Sequence, residues 1–396
     1  MDSRLRCGLL AVLSLGFAMP DLAAQVVEAR NIAMGGTGVA SSHYLAAGFA
    51  NPSLLAMHGE RDRFAFRLPS VGIWVSDPDG LRDAIDDFQA NVDNVQAKIN
   101  NATVTAADRT NLIAALNNLN GKTAVGAPGA SFALAFPGEV LSVALVAQTI
   151  GDLRGTVNVD PADIAKINTA ATSAVLDTLT SEGRITGILI SELGINLATS
   201  FDLGNLKLAV GATPKYQRID TFNYAINVNT YDEGGFDDSV YRTDNNHFNV
   251  DLGGALHIGE LVTVGLTARN LIGEKFNTVT TLGQMFTYDL HPTLRAGAAV
   301  KLGSLTVAAD VDVVEIERFT RAGDESRVLN AGFEFDLLGS VLQLRGGWQK
   351  DLEDKTVDDA FSAGVGLSIG FFHLDIAGQY GGSDTYGAAV QTTFTF

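Results

Sequence analysis

The sequence predicts an all-β protein: a transmembrane antiparallel β-barrel of about 14 strands with an N-terminal hatch and extracellular helical insertions. Three observations carry this. Beyond residue 24 no segment offers the run of about 18 apolar residues that a spanning helix needs, and closed strands are the other way to satisfy the backbone in lipid. The C-terminal half alternates apolar and polar residues with period two, as sheets with one apolar face do. The links between these segments are long and polar on one side and very short on the other, the arrangement of outer-membrane barrels with short periplasmic turns. A soluble sandwich would share the alternation but has no reason to sort its loops.

Residues 1–24 read as a secretory signal peptide. Arg4 and Arg6 precede a short apolar stretch, Gly8 to Ala18, and Leu22-Ala23-Ala24 offers a small-residue cleavage site. Cys7, the only cysteine, lies inside it, so a disulfide framework is excluded. Residues 25–60 read as a hatch within the barrel. They are rich in small residues, with Met34, Gly35, Gly36 and Gly38 and later Asn51 and Pro52, and small residues allow close backbone packing.

The barrel is expected over 61–396, with its first strand near 63–75, bent at Pro69. The next four strands are expected near 128–137, 140–157, 183–200 and 205–219. Six tight turns repeat a Gly after an apolar residue or Pro, at Gly138, Gly204, Gly259, Gly303, Gly339 and Gly370. Long links lie near 77–126, 158–182, 220–246, 272–290, 318–326, 350–359 and 381–385. Helical insertions are expected at about 78–122 and 160–180. Ile85, Phe88, Val92, Val95 and Ile99 make one amphipathic stripe, and Leu112, Leu116 and Leu119 a second behind a Thr105 cap. Asp160 and Pro161 start a third helix, with Ile164, Ile167, Ala171 and Val175 on its apolar side. The chain ends on an alternating strand with Phe394 and Phe396, which reads as the signal for the barrel-assembly machinery.

Composition narrows the function. Acidic residues outnumber basic ones 45 to 27, a net charge of −18, which argues against nucleic acid and against a polybasic membrane patch. The histidines are scattered with no H-E-x-x-H, and Gly35-Gly36-Thr37-Gly38 lacks the Lys and spacing of a phosphate loop, so neither metal nor cofactor is expected. No G-x-S-x-G elbow appears and no catalytic residues are assigned. Asp310, Asp312, Glu334 and Asp336 fall on the polar side of their strands, and Arg269, Arg295 and Arg345 are expected to face the same lumen and pair with these acids or the hatch.

The stretch Ala29-Arg30-Asn31-Ile32-Ala33-Met34-Gly35-Gly36-Thr37-Gly38-Val39-Ala40, followed by Asn51-Pro52-Ser53-Leu54-Leu55, resembles the entry of barrels related to the FadL long-chain fatty acid transporter. Leu68-Pro69-Ser70-Val71-Gly72, Asp77-Pro78-Asp79 and Asp83 to Phe88 resemble the conjugal-transfer TraF family, distinct from the thioredoxin-like proteins of that name. The resemblance is close over about 29–100 and a matter of pattern beyond. It implies fourteen strands and an N-terminal hatch, in a protein of the cell outer membrane. The expected activity is a passive channel or binding protein for small hydrophobic compounds, and not an enzyme. The alternative is a component that binds conjugation partner proteins without transport. Expected neighbours are outer-membrane lipid and lipopolysaccharide, and the barrel-assembly machinery.

Overall fold

The computed structural model describes residues 27–59, 62–227, 238–319, 325–353, 358–382 and 384–396; the signal-peptide expectation lies outside them. Fourteen strands close into one barrel, each antiparallel to its neighbours: β1 (Ala65–Ser76), β2 (Thr123–Phe136), β3 (Ser142–Asn158), β4 (Glu182–Leu203), β5 (Leu206–Asn227), β6 (Arg242–Ile258) and β7 (Val262–Arg269) are followed by β10 (Thr293–Leu302), β11 (Leu305–Asp312), β12 (Val328–Leu337), β13 (Leu342–Asp351), β14 (Ala360–Ile369), β15 (Phe372–Tyr380) and β16 (Thr385–Thr395). β1 closes on β16, with Phe66 opposite Phe394. The remaining two strands, β8 (Glu274–Asn277) and β9 (Thr287–Leu290), form a separate two-stranded sheet, and Tyr288 of β9 also bridges to Phe319.

The period-two pattern sets the faces. Val264, Leu266, Val307, Phe333, Leu344, Val365 and Ile376 are exposed on the outside, and their polar or small chain neighbours are buried inside. Among the described residues no helix is long and apolar enough to cross a membrane. Five of the tight turns place Gly204, Gly259, Gly303, Gly339 and Gly370 at positive φ, where a side chain would be strained. The sixth is different: Gly138 donates to Ser142 Oγ at 3.2 Å instead.

At the long-loop end, α2 (Leu81–Asn100) and α3 (Ala106–Leu119) form a hairpin around Phe88, Val95, Leu112 and Leu116. Thr105 and Asp108 make the reciprocal capping box that starts α3. The third insertion is shorter than the stripe predicts. α4 (Pro161–Thr169) ends before Ala171, which is exposed; Asp163 in its first turn accepts from the Thr180 and Ser181 amides and so ties back the chain that follows, where Leu176 and Leu179 supply the buried contacts. The link expected at 220–246 narrows to 228–241, because β5 and β6 run on above the other strands: Asn223 and Thr221 find partners in the inserted hairpin, and Tyr224 packs edge-on to Tyr241. The 272–290 link holds that hairpin, β8–β9. It folds inward, burying Phe276, Tyr288 and Leu290 against Ile188, Ile190 and Ile219.

Candidate functional site: the lumen and the segment inside it

Residues 27–57 lie within the barrel and are almost entirely buried. α1 (Ala29–Ala33) packs on β13 to β16, and the 3-10 turn Pro52–Ala56 packs on β3 to β6. Two kinds of contact hold the segment.

The first is close packing against a ring of small wall residues, one or more from every barrel strand. From β1 to β6, Ala65, Ala133, Ala135, Ala144, Ala198, Ala209 and Ala255 surround Leu45, Leu54 and Leu55. From β5 onward the wall turns to glycine. Added methyl groups on Gly211 and Gly253 would strike Pro52, one on Gly265 would strike the Val39 carbonyl, and those on Gly332, Gly347 and Gly364 would strike Met34, Gly35 and Ala33. Gly297 meets Val39, Ala308 joins the Met34 and Ala40 cluster, and Ala377 and Ala389 pack under Ala29 and Ile32 to close the ring.

The second is a set of polar contacts. Arg30 binds Glu334 through two nitrogens, at 2.8 and 2.7 Å. Arg345 binds the same carboxylate at 2.6 Å and Asp375 at 2.6 Å, so charges alternate along one chain of pairs. Asp310 accepts from the Gly38 and Val39 amides, at 2.6 and 2.9 Å. Ser362 accepts from the Gly35 amide and donates to the Ala33 carbonyl. Asn51 donates to the Val39 and Gly254 carbonyls. Glu28 pairs with the fully buried Arg67, whose guanidinium lies over the Phe49 ring.

Thus Arg345, Asp310 and Glu334, together with Met34, Gly35, Gly38, Asn51 and Pro52, meet at one interface. Arg295 lies beside it and binds Asp312 through two nitrogens, at 2.6 and 3.0 Å. Arg269 stands 3.5 Å from Asp251 and 3.9 Å from Glu192. Asp336 is half-buried near a short turn and takes no part in this network. Gly36 borders a cavity, whereas a methyl on Gly35 would come within 2.6 Å of the Ala331 carbonyl and the Trp348 amide. Phe394 and Phe396 stack at the barrel seam, Phe394 4.8 Å from Phe66 and Phe396 5.3 Å from Phe371. The wall glycines and alanines, Glu28, Arg30 and Arg67, and the Glu192–Lys215–Asp251 cluster were not singled out from the sequence. Their signal is faint: small or charged residues at inward parity.

Burial pushes the Glu28 carboxyl up to about 7 despite the opposing pull of Arg67. A carboxyl raised by docking favours docking while protonated. Seating should therefore weaken as pH rises from about 4.5 to about 7. Protection of the segment from an added protease should fall with pH across that range in the wild type, and Glu28→Gln should flatten this part of the profile.

Two neighbouring cavities lie in the lumen, and the second of them adjoins the segment. One, about 90 Å3, lies under the β8–β9 hairpin. Ile150, Ile188, Ile190, Tyr288 and Leu290 form its apolar side, and Asp152, Glu192, Arg269 and Arg318 its polar side. The other, about 70 Å3, is bounded by Glu28, Asn31, Gly36, Phe49 and Asp310. Arg269, Thr293 and Ile316 border both. Beside the first cavity the β2–β3 ladder lacks pairs at Ala127 and Pro128, opposite Gly151 and Asp152.

The family model described as "F plasmid transfer operon, TraF, protein" matches residues 48–312. No curated protein matches the chain. Among solved structures the chain is similar to the Ralstonia pickettii toluene transporter TbuX, with 13% identity, TM-score 0.54, and 94% of this chain and 99% of that one covered. It is also similar to the Pseudomonas putida toluene transporter TodX, with 11% identity, TM-score 0.53, and 96% and 98% covered. A third is the CymD monoaromatic hydrocarbon channel, with 11% identity, TM-score 0.56, and 96% and 99% covered. At such identity the likeness concerns the fold.

Proposed function

We propose, for a chain that belongs to the TraF family of the F plasmid transfer operon, a passive outer-membrane channel of FadL type for small, largely apolar molecules, closed at rest by residues 25–60 as its hatch. The observation that carries this is the pair of neighbouring cavities inside the barrel, one under the β8–β9 hairpin and one bordered by that segment. Ile188, Ile190 and Tyr288 would hold the apolar body, with the polar wall at Arg269 below. The first cavity is smaller than the roughly 150 Å3 that admits benzene, so cargo must be small and the hairpin must yield. The β2–β3 ladder is weakest at Pro128, which has no amide hydrogen to donate and packs its ring against Gly151, so a sideways exit would open there by parting these two strands.

Fractionated cells should yield the protein in the outer membrane as a heat-modifiable band; a soluble periplasmic protein would end this reading. Uptake of radiolabelled toluene should exceed that of empty-vector cells, and Ile190→Trp, which fills the apolar side, should reduce it. Equal uptake with and without the protein would dismiss transport. The family description favours a second reading, a conjugation component acting through partner proteins. In that case deleting α2 and α3 should lower transfer frequency while the barrel still folds.

A further inference from the structure

On the inner wall, composition changes in one direction along each of several adjacent strands. Toward the short turns, β4 presents Glu192, Asn196 and then Ala198; β5 presents Lys215, Thr213 and then Ala209; β6 presents Asp251, Gly253 and then Ala255. The upper part is polar and incompletely satisfied. Both side-chain polar atoms of Asn196, Thr213 Oγ1, Gln148 Oε1 and Arg269 Nε are buried without a hydrogen-bond partner. Buried polar groups in that condition call for water, because each one left dry is costly. The Glu192 carboxylate, bound by Lys215 at 2.9 Å, and the adjoining cavity at Arg269 continue this polar surface upward. Immediately below Asn196 and Thr213 the character reverses. Leu54 and Leu55, 2% and 0% exposed, fill the space inside the alanine arc, so the polar path ends on an apolar floor.

We propose that Leu54 and Leu55, with Ala198, Ala209 and Ala255, form the gate that stops water and ions, and that the lumen above them is wet. An apolar floor blocks ions because it cannot replace their hydration. The arrangement therefore bears on specificity: a solute that leaves through the wall above the floor is released without opening a path for ions. The polar docking of residues 28–39 positions the hatch but is not the seal. This rests on the channel reading only for the identity of the cargo; the ion barrier stands or falls separately.

The test is ion conductance of the full-length protein in planar bilayers with potassium chloride. Leu54→Asn/Leu55→Asn should raise it about tenfold or more, the factor given by ~1.4 kcal/mol off a barrier. Ala209→Ser/Ala255→Ser, which adds hydroxyls to the wall and leaves the segment's own sequence intact, should raise it in the same direction. Folding of each barrel is verified by heat-modifiability. Shielding Asn196 and Thr213 as Asn196→Leu/Thr213→Val should leave the closed state closed. Unchanged conductance in both folded gate variants would overturn the proposal, as would a leaking wild type. Failure of toluene uptake alongside a Leu54- and Leu55-dependent ion block would remove the transport reading and leave the gate in place.

Discussion

Gly347→Val is expected to give a folded barrel whose inner segment no longer seats. Gly347 pairs with Gly332 across β12 and β13, and both stand under the Met34–Gly35 peptide. A β-carbon at either position would fall onto backbone atoms of that peptide, which cannot turn aside as the end of a flexible side chain can. Gly35 has φ near +70°, so the turn it makes resists a shift to a conformation other residues adopt. Overpacking of this kind costs roughly 1–3 kcal/mol, and it weighs on docking because the barrel ladder does not depend on the segment. Valine also suits a strand, so the wall itself should tolerate it. The expected readings are an unchanged heat-modifiable band, cleavage after Arg30 by added trypsin, and a loss of seating. Gly36→Val is the control, since Gly36 borders the cavity instead of the wall. Its φ near +85° carries backbone strain, so a modest effect is expected there, clearly smaller than that of Gly347→Val. A protected Arg30 in Gly347→Val would show that the segment is held elsewhere.

The wall was legible in the sequence where chemistry repeats. Phe333 and Phe335 alternating with Gly332 and Glu334 announce which face is which, and the glycine turns announce where strands reverse. The helix cap at Thr105 was equally local. What escaped depends on pairs distant in the chain. Arg30 and Glu334 are 304 residues apart, and nothing near either shows that they meet. Gly297 and Gly332 look like ordinary strand glycines until a second backbone is laid against them. The β8–β9 hairpin was hidden for another reason: four-residue strands are too short for alternation to stand out, and their pairing is stabilised by Ile188 and Ile190 from elsewhere. Inward acids were readable as a class, whereas the separate tasks of Asp310, which receives two amides, and Asp312, which holds Arg295, were not.

Glu334→Leu should have the larger effect on seating of any single wall change, because it strands one cation and weakens the pairing of another. Arg30 loses both of its carboxylate bonds, and Arg345 keeps only Asp375. Removing one member of a buried ion pair costs about 3–5 kcal/mol, mostly for the charge left behind, whereas replacing the whole set by apolar groups is often neutral. That asymmetry supplies the control. Arg30→Met/Glu334→Leu removes the stranded guanidinium from the segment and leaves Arg345 with Asp375, so it should recover much of the loss. If the single variant merely removed a favourable bond, the double variant would be no better. Seating is read as protection of the segment from an added protease specific for glutamate, which would cut after Glu28 in both variants. The order expected is wild type most protected, the double variant intermediate and Glu334→Leu least. High salt should leave this order intact, since these charges are shielded by the barrel from the screening that weakens exposed pairs. A double variant as open as the single one would assign the docking energy to the ring of small residues instead, and the charge chain would then serve to fix the register of the segment against β12 and β13.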